Sequence, residues 1–140
     1  MKLTLAEVVS LFYELNGRKD NKTGEPITKG VLNHKLSIRA KYILQNELSK
    51  SILEDVKSYE ETSIGFFKEL GTQEGDSYMV GEEKRPELLK KLAELDSIEK
   101  NVTVPKLNVG ELFNIETNEY WPILLDKLLK KEESEEPKKD

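Results

Sequence analysis

The chain of 140 residues contains no cysteine and a single histidine, His34. Disulfides, thiolate zinc sites and cysteine nucleophiles are therefore excluded, and a serine-triad mechanism would have to use that one histidine. Hydrophobic residues make up only 36% of the chain and charged residues 35%, against about a quarter in average proteins. This balance favours one domain built from helices with wide solvated faces.

Long hydrophobic runs are also missing. No apolar stretch approaches the roughly 20 residues that a membrane-spanning helix needs. The segment from Met1 to Leu5 is not followed by the hydrophobic core and cleavage site of a signal peptide. We therefore expect a soluble, intracellular protein with no membrane partner.

Charge is distributed unevenly along the chain. Residues 1–50 carry nine Lys/Arg against five Asp/Glu, whereas residues 51–100 carry seven against thirteen. One end of the molecule should therefore be basic and the rest acidic. The net charge of -5 and the pI of about 5.1 argue against nucleic acid as a partner, because proteins that bind it are usually basic.

Local signals predict the first elements. Thr4 and Glu7 match a capping box, and the apolar spacing that follows predicts a helix over about 5–16 that ends at Gly17. Residues 17–30 are rich in turn-forming residues, which indicates irregular backbone or a small hairpin.

A long apolar stripe then runs from Val31 to Leu70. As one helix, this segment would be about 60 Å long, more than a chain with a radius of gyration near 14 Å, by the usual scaling, can cover. The stripe repeats about every 3.8 residues, so at 100° per residue it would turn by about 160° along its length. We therefore expect either a break near residues 60–65 or two halves that pack against different partners.

Cover for this helix is expected from a second copy of the chain. The residues predicted to lie in that homo-oligomeric interface are three of the stripe and two aromatic residues near the end: Leu44, Leu48, Ile52, Tyr120 and Trp121. For the two aromatic residues, anchoring the core is the preferred interpretation, and the centre of a subunit interface is the other.

Shorter elements complete the chain. A strand over 78–80 is predicted to pair with an edge strand over 101–105, and Pro86 opens a helix over about 86–97. Asn108 with Glu111 predicts a short helix, and Thr117 or Asn118 should cap a final helix over about 119–130.

The predicted fold class is mainly α, with a minor two-stranded β element. Shorter helices should pack on the long central helix in a single domain over 1–130. The charged residues 131–140 are expected to be a disordered tail.

The residues that could act in catalysis are not spaced so that a helix would bring their side chains together. His34, predicted on the first turns of the long helix, has neither a second histidine nor a carboxylate one turn away, and an ordinary surface or boundary role is expected. The pairs Glu54–Asp55 and Glu60–Glu61 are six residues apart, too far along one helix for joint acid/base work. We expect no enzyme, no metal site and no cofactor.

Five residues of the basic end are candidates for binding a ligand: Arg18, Lys19, Lys35, Arg39 and Tyr42. Lys35 and Arg39 are one helical turn apart and Tyr42 follows, which would place cations beside a ring for a phosphorylated small molecule or nucleotide. The alternative is a solvated basic surface that meets the acidic middle of a neighbouring subunit.

The chain also resembles small phage-encoded proteins of unknown function. The resemblance is carried by the run Lys29-Gly30-Val31-Leu32-Asn33-His34-Lys35-Leu36-Ser37, by Val102-Thr103-Val104-Pro105 and by the ending Pro122-Ile123-Leu124-Leu125. It implies a viral origin and a mostly helical accessory protein in the host cytoplasm or the virion. The expected function is non-enzymatic contact with itself and with a host or virion protein. The alternative is an inhibitor of host defence that sequesters a nucleotide.

Overall fold

The computed structural model describes residues 1–20, 22–107, 109–112 and 119–129. This part of the chain is mainly helical, with three short two-stranded sheets, and a long helix is packed by shorter ones. The predicted fold class is therefore confirmed. The expected caps at Asn108, Thr117 and Asn118 and the expected tail at 131–140 lie outside the described residues.

Helix α1 (Leu5–Asn16) begins and ends where the sequence predicts. Thr4 Oγ1 accepts the Glu7 N–H at 3.2 Å and the Glu7 carboxylate accepts the Thr4 N–H at 3.0 Å, which completes the capping box. The helix buries one apolar face, made of Leu5, Val8, Leu11 and Leu15.

A hairpin follows α1, as one of the two expected outcomes for residues 17–30. Strands β2 (Arg18–Lys19) and β3 (Pro26–Thr28) pair antiparallel, and Asp20 Oδ1 accepts the N–H groups of Lys22 and Thr23 in the turn. Gly17, at φ +82°, permits the close return, since a Cβ there would lie 2.5 Å from the Lys29 carbonyl oxygen. The hairpin is therefore held close to the end of α1.

The long helix α2 spans residues 38–70 and begins later than expected. Ser37 caps it by accepting the Ala40 N–H, and a 3₁₀ turn (Val31–Asn33) precedes it. The expected break near residues 60–65 is wrong, because Lys50–Leu70 is one regular α-helical segment that ends at Gly71.

The irregularity lies earlier, where Ile43–Ser49 has π-type hydrogen bonding between the α-helical segments Ile38–Tyr42 and Lys50–Leu70. A π turn holds roughly 4.4 residues against 3.6, so each residue rotates by about 80° rather than 100°. Over these seven residues the helix therefore rotates by about 130° less than a regular α-helix would. This difference cancels most of the drift of about 160° that the apolar stripe would show along a uniform α-helix. The stripe therefore stays on one side of α2.

The chain itself covers this stripe. Ala40, Leu44, Leu48, Ile52 and Val56 are each at most 2% exposed, and they belong to a core that includes residues of α1 and of the C-terminal segment. The expectation that a second copy must cover the stripe at these positions is wrong. The cover comes from parts of the chain that are distant in sequence, which the length of the helix alone did not reveal.

The strands that follow α2 in the sequence do not pair with each other as expected. Strand β5 (Ser77–Met79) pairs with β4 (Thr72–Glu74) through a tight turn, not with residues 101–105. Strand β6 (Glu99–Asn101) pairs instead with β1 (Lys2–Thr4) at the other end of the chain. Helix α3 (Arg85–Asp96) lies between them close to its predicted range. The predicted pairing of 78–80 with 101–105 is wrong, because β5 pairs with β4, the strand that immediately precedes it in the sequence.

The C-terminal elements are shorter than expected. A 3₁₀ turn (Val109–Leu112) is followed, after residues outside the described part, by helix α4 (Ile123–Leu129), which has π-type hydrogen bonding. Tyr120 and Trp121, expected within the final helix, precede it. Helix α4 packs against α1 and buries Leu124, Leu128 and Leu129.

Candidate functional site

A cleft of about 350 Å³ opens beside α1, and we call it the α1 cleft. Three segments form it: the second half of α1, the β2–β3 hairpin and residues 119–123. Its walls carry both ring and polar side chains, from Ser10, Tyr13, Glu14, Arg18, Thr28, Glu119, Tyr120, Trp121, Pro122 and Ile123. The volume lies at the lower end of the range for small-molecule sites, about 300–1,000 Å³.

Two carboxylates hold the cleft together by accepting backbone N–H groups. Glu14 accepts from Ile123 and Leu124, both at 3.0 Å, and so caps the start of α4. Glu119 accepts from Lys29 at 2.6 Å and from Gly30 at 3.1 Å. Both carboxylates therefore tie one segment of the wall to another.

The surroundings shift the pKa values of these carboxylates in opposite directions. Burial raises the pKa of Glu14, and the two N–H groups that it accepts only partly oppose this effect. Burial also acts to raise the pKa of Glu119, but donors from Lys29, Gly30 and Trp121, with His34 nearby, outweigh it and lower that pKa. The net result is a Glu119 that ionises more readily than Glu14.

Arg18 is the cation of the cleft. Its guanidinium carbon lies 4.3 Å from the centroid of the Tyr13 ring, a cation–π contact. No carboxylate among the described residues lies within ion-pairing distance of this guanidinium. Its donors therefore remain available to a bound anion.

His34 and Trp121 pack together behind the cleft. The rings meet edge to face with centroids 5.5 Å apart, and the Trp121 residue is 5% exposed. His34 Nε2 lies 3.8 Å from Glu119 Oε1, the imidazole is 9% exposed, and Nε2 has no hydrogen-bond partner among the described residues. The predicted position of His34 on the long helix is wrong, because the residue precedes that helix; of the two expected roles, its half-buried position against Trp121 fits a boundary histidine and not a surface one.

The predicted ligand-binding residues are not brought together as one set. Arg39 binds Glu111 with two hydrogen bonds at 2.8 and 3.0 Å and donates to the Lys106 carbonyl. Lys35 and Tyr42 are exposed, and neither lines a described cleft. Lys19 follows Arg18 on strand β2 but does not line the α1 cleft. Of the five residues, the cleft contains only Arg18.

The predicted interface residues fall into two groups. Leu44, Leu48 and Ile52 lie in the core of the single chain, and Trp121 is buried there as well. Tyr120 is exposed and donates its hydroxyl hydrogen to Asp126. Sequence analysis thus singled out Arg18, Tyr120 and Trp121, which all line the α1 cleft, but assigned them to separate roles.

Residues that sequence analysis missed complete the cleft. Ser10, Tyr13 and Glu14 are three or four residues apart on α1, and this helical spacing would have shown that they share a face. No local pattern indicated that Glu119 caps the Lys29–Gly30 backbone, since 89 and 90 residues separate the partners.

A second depression, which we call the distal groove, lies where β5 and α3 meet the end of α2. Its volume is about 290 Å³, and its lining is largely apolar: Phe67, Tyr78, Met79, Val80, Arg85, Leu88 and Leu89. Two of these apolar residues are largely exposed, Met79 at 55% and Leu89 at 64%. The groove is therefore an apolar surface left open to solvent.

The described residues were also compared with metal sites and with membrane-spanning helices, and the chain with known proteins. Among the described residues, no group of histidine and acidic side chains could hold a metal ion, and no helix is long and apolar enough to cross a membrane. No protein-family model matches the chain, and neither a curated protein nor a solved structure is significantly similar to it. The geometry of the two sites is therefore the basis for a functional proposal.

Proposed function

We propose that the protein is a non-enzymatic interaction protein that associates with a second copy of itself through the distal groove. The observation that carries the proposal is the open apolar lining of this groove, with Met79 and Leu89 exposed at its edge. Contiguous apolar surface of this kind is typical of a contact site. The accessory role in a phage, implied by the sequence resemblance, is part of the same proposal.

The arrangement of the groove favours a second copy as the partner. In a two-fold interface the same patch faces itself, so each subunit must carry both a projection and a recess. Leu89 and Met79 are the projecting side chains, and the groove beside them, floored by the half-buried Phe67, is the recess. One subunit therefore presents both parts of a self-complementary contact.

Charged residues beside the groove also favour a second copy of the chain as the partner. Arg85 lines the groove, and Glu82, Glu83 and Glu87 lie within three residues of it along the chain. None of these four forms an ion pair in the described part of the structure. A second copy supplies the opposite charge to each side, which sets the orientation of the two chains more than it adds affinity.

The proposed surface differs from the interface expected from the sequence. The leucine stripe is covered within one chain up to Val56, whereas the apolar lining of the distal groove, at the other end of α2, stays open to solvent. Ile64, which is 48% exposed, is one turn before Phe67 and extends this surface along the helix.

The test is the mass in solution, measured by light scattering and sedimentation equilibrium over a wide concentration series. We expect a dimer at high concentration, and we expect Leu89→Glu and Met79→Glu to convert it to monomer because a buried unpaired carboxylate is costly. The matched control is Ile27→Glu, since Ile27 is equally exposed, at 65%, but lies on β3. A wild-type chain that stays monomeric at high micromolar concentration contradicts the proposal.

A further inference from the structure

We propose that the α1 cleft is a binding site for a small planar molecule, such as an aromatic ring, that carries one anionic group. This site is separate from self-association, because no residue that lines the cleft also lines the distal groove. It also differs from the ligand site expected from the sequence, because it uses Arg18 without Lys35, Arg39 or Tyr42.

The anionic group is inferred from what each charged side chain already binds. The Glu14 and Glu119 carboxylates both accept two backbone N–H groups, so they serve the wall of the cleft. The Arg18 guanidinium has a ring on one face and no described carboxylate within reach. The N–H donors of an unpaired guanidinium form a planar fork that can bind the two oxygens of a carboxylate or a phosphate.

A single anionic group is inferred from the acidic side chains that face the site. Glu14 and Glu119 line the cleft, and Asp126 is next to its edge through the Tyr120 hydroxyl. Arg18 can pair at short range with one anionic group, whereas the further charges of a polyphosphate would lie against these three carboxylates and be repelled. The ligand therefore carries one anionic group on an otherwise uncharged body.

The planar body is inferred from the rings around Arg18. Tyr13 and Tyr120 stand on the walls with Trp121 and Pro122, and this set offers flat apolar faces within about 350 Å³. Aromatic side chains bind rings by offset or edge contacts. The hydroxyl groups of Ser10 and Thr28 add polar contacts at the rim. The cleft thus combines one anion donor with apolar faces of the size of a single small ring system.

The experiment compares probes that differ only in charge. Benzoate and phenyl phosphate are titrated beside benzamide and inorganic phosphate, with the fluorescence and the indole N–H resonance of Trp121 as readouts. Trp121 is the single tryptophan of the chain, so the tryptophan signal comes from one residue that lines the cleft. We expect benzoate or phenyl phosphate to bind about tenfold more tightly than benzamide, by a charge-assisted hydrogen bond to Arg18. Inorganic phosphate, which has no ring, should bind more weakly than phenyl phosphate.

Variants assign the anion contact to Arg18. Arg18→Gln should remove the preference for benzoate over benzamide, whereas Lys19→Gln should keep it. Lys19 is the matched control because it is adjacent, exposed and of the same charge, but does not line the cleft. Both residues are exposed on a short strand, so neither change should unfold the protein, and circular dichroism checks this.

Three results would overturn the proposal. Equal affinity for benzoate and benzamide would show that the cleft has no anion site. An equal loss of the preference for benzoate in the Arg18 and Lys19 variants would show that general charge attraction explains it. No response of Trp121 to any probe at millimolar concentration would mean that the cleft does not take this class of ligand. Loss of self-association in the Leu89 variant leaves all three measurements intact, so the two proposals can fail separately.

Discussion

Leu48 tests whether the apolar stripe of α2 belongs to the core of one chain. This residue is 0% exposed and lies within the π-type segment Ile43–Ser49, in contact with the main hydrophobic cluster. Leu48→Ala removes three buried carbons and leaves a cavity that the surrounding helices fill only in part. Substitutions of this kind cost about 2–5 kcal/mol in folding free energy. We expect a value near the middle of this range, about 3 kcal/mol, because the site is enclosed on all sides.

The assay is urea unfolding followed by circular dichroism. If the urea dependence is about 1.5 kcal/mol per M, a loss of 3 kcal/mol lowers the midpoint by about 2 M. The control is Ile27→Ala, since Ile27 is 65% exposed and its loss should change the free energy of unfolding by no more than about 0.5 kcal/mol.

Protein concentration separates core from interface. A residue in the core of one chain destabilises by the same amount at every concentration, whereas an interface residue changes the stability of the dimer alone. The measurement is therefore repeated in the Leu89→Glu background, where self-association should be absent. A loss below about 1 kcal/mol in that background would refute the packing of the stripe described here.

Two further predictions concern protonation. The pKa of Glu14 is raised above 4.5 and that of Glu119 is lowered below it, so carboxyl NMR titrations should place them on opposite sides of the ordinary value. Because the folded pKa of Glu14 is raised, its contribution to stability is present below pH 4.5 and lost as the pH rises through that pKa. Because the folded pKa of Glu119 is lowered, its contribution is present above pH 4.5 and lost as the pH falls through that pKa. Glu14→Gln should therefore remove the first dependence and Glu119→Gln the second, and titration of both residues at 4.5 would contradict this. Burial and the hydrogen bond to Asp96 raise the pKa of Tyr59 to about 12, and the pKa values of Tyr13 and Tyr120 are raised as well. Ultraviolet titration should therefore show Tyr59 as the last tyrosine to ionise, and Tyr59→Phe should remove that last step. A complete ionisation near pH 10 would contradict it.

Local signals were sufficient for elements whose partners are near in sequence. The capping box at Thr4 and Glu7 and the terminal Gly17 predicted α1 to the residue. The turn residues after Gly17 predicted the hairpin as one of two outcomes, and Pro86 marked the first turn of α3. Each of these signals acts through a hydrogen bond or a dihedral angle within a few residues, so the sequence contains all that is needed.

Features that depend on distant partners were not predictable in this way. Lys2–Thr4 has no strand signal of its own and becomes β1 only because Glu99–Asn101 lies beside it. The angular drift of the stripe was calculated for a uniform α-helix, and the π-type segment, which depends on packing around Leu44 and Leu48, removes most of it. Tertiary contacts thus decided both the register of the sheet and the direction of the apolar face.

The same tertiary contacts decide where the functional surfaces lie. Because the underwound segment keeps Leu44, Leu48 and Ile52 on one side, a single chain can bury them, and the stripe no longer needs a partner. The distal groove is an apolar surface left open to solvent, and Arg18 in the α1 cleft has no carboxylate partner among the described residues. Since the two sites share no lining residue, Arg18→Gln should leave the mass in solution unchanged and Leu89→Glu should leave probe binding unchanged. Coupling between the two variants would mean instead that the sites communicate through α1 and α2, the helices packed between them.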